Sequence, residues 1–157
     1  MLTSIGWVSR AERAAEDAHN EDVRRKDEEM AQQKQRVSDL LEDAESAANN
    51  FSIYSSQRRQ RQDAFQSLRN GGPGLYGRRF ANPEPELVRL EFELDALALK
   101  VEDSRRVLRD AVRSLYAALE PLGVRAPPFD MLGAATAARS ICLTKGIAVR
   151  PLGASKS

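Results

Sequence analysis

From residue 10 to residue 69 the chain carries neither glycine nor proline, and its apolar side chains return there at steps of seven: Val23, Met30, Val37, Ala44, Phe51 and Phe65, interrupted at Arg58. Leu40, Ala47, Tyr54 and Leu68 stand three places behind four of these. A seven-residue apolar repeat with a companion at the third or fourth place is the seam of a coiled coil. The pattern predicts one helix over residues 10–69, about 90 Å long at 1.5 Å per residue. Its seam is dense only after Val37. Over residues 19–36 it holds Val23 and Met30 alone, which predicts an exposed helix, a weakly paired overhang, or a segment ordered by a partner. The run NNFSIYSS at residues 49–56 has weak helix propensity and admits a kink or break.

Residues 70–82, NGGPGLYGRRFAN, end that helix. Asn82 can cap a second one with Pro83 at its first position. Over residues 83–120 the apolar series is denser still: Leu87, Leu90, Leu94, Leu97, Val101, Leu108, Ala111, Leu115, Ala118 and Leu122 alternate steps of three and four, broken at Ser104. Val88, Ala98, Leu99, Val107, Val112 and Leu119 lie beside the seam and make the apolar face wider than one neighbouring helix covers. A third surface, from the tail or from another chain, is expected on it. Pro121, Gly123, Pro127 and Pro128 close the segment, and Asp130 can cap a short helix over residues 131–144.

The fold expected is therefore all-α: a long antiparallel, coiled-coil-like helical hairpin over residues 1–122, then a tail over 123–157 with one short helix and an extended end. Residues 37–69 are expected to pair with 83–115. Composition agrees, with charged residues at 30% and few large aromatic side chains, the bias of long helices rather than of a compact globule.

The chemistry of a catalytic site is missing from the residue types. The one histidine, His19, lies in the most polar stretch of the first helix and reads as a solvated group. The one cysteine, Cys142, sits among Ser140, Ile141 and Leu143 and reads as a small buried hydrophobe. One His and one Cys fall short of a zinc site. The carboxylates Asp27, Glu28 and Glu29, and Glu91, Glu93 and Asp95, are spaced as solvated helix faces. The Gly71-Gly72-Pro73-Gly74 run lacks the Lys-Ser/Thr of a phosphate loop and follows a helix rather than a strand. No cofactor, metal or small-molecule substrate is expected, and no motif points to a particular family.

Compartment and charge refine the picture. A lone cysteine gives no internal disulfide and fits a reducing compartment. No run approaches the ~18 apolar residues of a membrane span, so no membrane association is expected. Ser4, Ser9 and Arg10 faintly resemble a mitochondrial leader, but Glu12, Glu16 and Asp17 follow at once, and a cytoplasmic, cytoskeleton-associated location is the better expectation. Although the net charge is +1, the signs separate: residues 1–54 hold seven basic and twelve acidic side chains, 55–82 six and one, 83–122 six and nine, and 123–157 five and one.

A hairpin built on these residues has an acidic stem with a basic tip and tail. Arg58, Arg59, Arg61, Arg78 and Arg79 gather at the tip with Tyr76 and Phe80, a set that suits an acidic protein surface or an RNA backbone. The function expected is that of a non-enzymatic structural or adaptor subunit of a large multi-protein assembly, cytoskeletal or axonemal in type. Its contacts would be these tip residues and, on the second helix, Val88, Leu99, Val112 and Leu119, through which the chain would meet other subunits or a second copy of itself. The alternative is an accessory RNA- or ribonucleoprotein-binding subunit acting through the basic tip and tail.

Overall fold

The structure, a computed structural model, describes residues 2–128 and 130–151, with side chains from residue 9 onward. Three α-helices make it up: α1 (Leu2–Arg69), α2 (Glu84–Leu119) and α3 (Met131–Thr144), with single 3₁₀ turns at Leu75–Gly77 and Glu120–Leu122 and no strand among the described residues. The chain is the all-α helical hairpin with a short C-terminal helix that its apolar periodicity predicts. At 68 residues, α1 is about 100 Å long.

Cross-helix contacts fix the hairpin's sense. Arg61 meets Glu93, Tyr54 meets Lys100 and Phe51 meets Arg105, so α2 runs up in number as α1 runs down. Contact does not stop at residue 115: Leu115 and Leu119 share a cluster with Val37 and Leu41 of α1, which carries the pairing one turn further than expected. The weak-propensity run at 49–56 stays inside unbroken α1. Phe51 packs on the core there, and tertiary burial overrides propensity.

The turns are set by backbone geometry. Gly71 holds φ +79 and lets the Gly72 N–H reach back to the Ser67 carbonyl at 2.8 Å, the left-handed close that glycine makes at no steric cost. Asn82 Oδ1 accepts from the Glu84 N–H at 3.3 Å to start α2. Asp130 accepts from the Gly133 N–H at 2.7 Å to start α3. Gly146, at φ +71, ends α3 in the same way as Gly71 ends α1, with the Ile147 N–H on the Cys142 carbonyl at 2.9 Å. That turn throws Ile147 back under the helix, where it is buried.

The core is three-helical at the base and two-helical at the tip. At the base, Val37, Leu41 and Ala44 of α1 and Leu108, Val112, Leu115, Tyr116 and Leu119 of α2 close over Ala134, Ala135, Ala138 and Cys142 of α3. The alanines let α3 lie close. Tyr116 donates to the Ala134 carbonyl at 2.8 Å, so its hydroxyl enters the core with a partner. Outside the core, Ser38 Oγ donates to the Ala148 carbonyl at 2.7 Å, Arg139 grips Glu45 at 2.9 and 3.0 Å, and Arg150 meets Glu42 at 3.0 Å. These bonds fasten the tail to α1. Near the tip only Ala64, Leu68 and Leu90 are fully buried as a group, with Phe65, Leu75, Phe80 and Leu87 packed around them.

Burial pushes the Tyr116 hydroxyl up from its ordinary 10.0, and pushes the Cys142 thiol up from 9.0 with Glu45 adding to it. Both groups are held protonated in the fold, so their contribution to stability is complete below the unfolded values and is lost as pH rises through the raised ones. The melting temperature should therefore fall from about pH 9 upward. In a Tyr116→Phe, Cys142→Ala variant that alkaline fall should be shallower, whereas superimposable alkaline profiles for variant and parent would refute it. At neutral pH Tyr116→Phe should cost about 1 kcal/mol, because the Ala134 carbonyl loses its donor.

Over residues 10–32 no described residue packs on α1. Every residue from 10 to 32 is exposed, Val23 and Met30 included. Its helix is supported locally, by Arg24 with Glu21 at 3.7 Å and Glu28 at 3.9 Å and by Arg25 with Asp22, pairs worth about 0.2–0.5 kcal/mol each on an exposed helix. Hydrogen exchange should divide α1 accordingly: amides of residues 10–32 should exchange about a hundredfold or more faster than those of 37–51. Uniform protection along α1 would contradict the overhang.

Candidate interaction surfaces

The residues offered as contacts by the sequence differ in their placement. Arg59, Arg78 and Arg79 are exposed at the tip, and Arg58 is half-buried beside them. Arg61 is taken up within the chain, its Nε 3.2 Å from Glu93 Oε2 across the hairpin. Arg78 lies over the Phe80 ring at 5.7 Å and Arg69 over Phe65 at 5.8 Å, so two of the tip cations are seated on aromatic faces. The acids at the start of α2 sit close by: Glu86 is held below its ordinary carboxyl value mainly by its hydrogen bond from Arg89, with Arg78 contributing. The tip is basic but carries its own counter-charge.

Tyr76 and Phe80 separate. Phe80 turns inward and packs, partly buried, on the cluster of Ala64, Leu68 and Leu90 with Leu75, unlike the open contact expected of it at the tip. Tyr76 alone is displayed, 86% exposed. It is also held at φ 59, ψ 27 and is the one non-glycine residue with positive φ among those described. An aromatic residue in the left-handed region costs about 1–2 kcal/mol, and residues kept in such conformations concentrate at functional positions. Beside it opens a shallow groove of about 350 Å³ lined by Gln60, Asp63, Ser67 and Pro73.

The four α2 residues also divide. Val112 and Leu119 are buried, which removes them as open partner contacts: α3 supplies the third surface that the wide apolar face requires. The same packing rotates the buried stripe at the base from the expected Ala111, Ala118 and Leu122 to Val112, Tyr116 and Leu119. Val88 and Leu99 stay exposed, together with Phe92 and Val107. Phe92 was hidden from the heptad reading because it sits two places after Leu90, on the far side of the seam.

A concavity of about 610 Å³ runs between residues 38–49 of α1 and Ala135, Arg139, Val149 and Arg150. Its charged walls are the Arg139–Glu45 and Arg150–Glu42 pairs already described, which spend their hydrogen bonds on each other. Cys142 is fully buried in the core, where a raised thiol is a poor nucleophile. Among the described residues no three His, Cys, Asp or Glu side chains come together as metal ligands, and no helix is long and apolar enough to cross a membrane. Compared with known proteins, the chain matches no family model, no curated protein and no solved structure.

Proposed function

We propose that the chain is a non-enzymatic structural or adaptor subunit of a multi-protein assembly of cytoskeletal type, working in the cytoplasm, with the three-helix base as its folded anchor and the bare end of α1 and the tip as its contacts. The observation that carries this reading is the overhang. A helix exposed on every side over residues 10–32 buries nothing of its own chain, yet it reaches about 40 Å beyond the base, and a polar helix of that kind serves to bridge or to be gripped. Tyr76 adds a second contact, an exposed ring kept in a strained turn. The RNA-binding alternative is the weaker of the two, because Phe80 faces inward, Arg61 is bonded to Glu93 and the acids of α2 adjoin the tip.

The test separates folding from incorporation. Deleting residues 10–32, all exposed, should leave the melting temperature within about 2 °C, since none of them is packed, while the chain drops out of its high-mass fraction on a density gradient of native extract. Tyr76→Gly should leave stability unchanged or raise it by up to about 1 kcal/mol, by relieving the left-handed strain, and should also weaken incorporation. Undiminished incorporation of both variants would remove this function. For RNA, low-salt retention abolished by changing Arg58, Arg59, Arg78 and Arg79 to Ala, with a steep salt dependence, would favour the alternative.

A further inference from the structure

We infer that the outer face of α2 near the tip docks an amphipathic helix of a partner protein whose apolar stripe is edged with lysine or arginine. This deepens the assembly-subunit reading and rests on it. At 100° per residue, Val88, Phe92 and Leu99 fall within about 40° of one another on α2 and span about 17 Å, three turns of helix. Phe92 is 78% and Leu99 70% exposed. No described residue covers them, because α3 packs only at the base, and the tip loop turns Leu75 and Phe80 toward Ala64, Leu68 and Leu90.

Charge beside the stripe selects the occupant. Glu84, Glu91, Asp95 and Glu102 form a row within about 40° along one edge of it, all exposed. None of these four carboxylates has an ion pair or side-chain hydrogen bond, unlike Glu86 and Glu93, which hold Arg89. An apolar stripe rimmed by one row of free carboxylates complements a helix with apolar anchors and a basic edge.

A second copy of this chain fits poorly. Two antiparallel copies related by a two-fold axis bring like edges together, carboxylate row against carboxylate row. Two parallel copies would set that row against the opposite edge, whose cations are already committed: Arg89 to Glu86 and Glu93, and Lys100 over the Tyr54 ring at 5.7 Å. An anionic lipid surface is repelled by the same row.

The experiment uses the full chain and two labelled synthetic peptides that share one helical apolar stripe, one edged with Lys and the other with Glu, read by fluorescence anisotropy. The Lys-edged peptide should bind about tenfold or more tightly than the Glu-edged one. Phe92→Ala with Leu99→Ala should weaken it by about tenfold or more, with the far-UV spectrum unchanged because both side chains are exposed. Glu91→Lys with Asp95→Lys should reverse the preference between peptides. Binding of neither peptide, equal binding of both, or indifference to these substitutions overturns the proposal. So does a concentration-dependent dimer in sedimentation that the Phe92 and Leu99 changes abolish, which would make the occupant a second copy. The overhang-deleted chain should still bind the Lys-edged peptide. Loss of peptide binding with overhang-dependent assembly intact would therefore sink this inference alone.

Discussion

Leu115→Asp is expected to abolish the cooperative fold rather than merely weaken it. Leu115 is fully buried where all three helices meet, in one apolar cluster with Val37, Leu41 and the alanines of α3. The substitution forfeits about 2–5 kcal/mol of leucine burial and packing and strands a carboxylate whose desolvation costs several more. Whole-protein stability is itself about 5–15 kcal/mol. Far-UV circular dichroism should show α2 and α3 melted at 25 °C, and Leu119→Asp should behave alike. Leu97→Asp, in the two-helix region, should cost less, and Leu99→Asp, on the exposed face, should shift the urea midpoint hardly at all. A native spectrum for Leu115→Asp would mean that the base is not the folding unit.

Removing the chain after Gly123 should do nearly as much by a different route. α3 and Ile147 cover Val112, Tyr116 and Leu119 together with Leu41 and Ala44. Without them the base becomes a two-helix strip with an open apolar face large enough to drive association. The truncated chain should self-associate or melt over a broad range, seen as a rising mass in sedimentation equilibrium and as dye binding to exposed apolar surface. The full-length chain, with that face closed, should do neither at the same concentration. A truncated chain that stays monomeric and melts sharply would show that the hairpin holds without its third helix.

Much of this architecture is legible in the sequence because it is written in spacing. Glycine and proline at 71–74 and 121–128 stop the helices where they do stop, and Val37, the first dense seam residue, is also the first fully buried one among the described residues. What periodicity could not convey is which of two adjacent stripes turns inward once a third helix arrives. Ala111, Ala118 and Leu122 keep the heptad, yet Val112, Tyr116 and Leu119 are buried, because α3 approaches from the side. The excess width of the α2 face is the available signal, but width alone does not tell tail from partner, and Val112 and Leu119, expected to meet a partner, are covered by the tail. The tip resisted for another reason: Tyr76 and Phe80 are four residues apart in a loop with no period, so only backbone geometry tells the displayed ring from the buried one. Function was less legible than fold, since surfaces for partners are specified by shape and by unpaired charge, neither of which a heptad count registers.

The partner contacts are tested most directly by placing a photo-crosslinking side chain, one position at a time, at Met30 on the overhang and at Tyr76 at the tip, in the cell, and then sedimenting the extract. The chain should travel far ahead of its own 17.4 kDa and form defined protein adducts from both positions, with none from the same group placed at exposed Arg125 beside the base. A chain that sediments as a free monomer and gives no protein adduct from Met30 or Tyr76 would contradict the claim that these bare surfaces exist to hold partners.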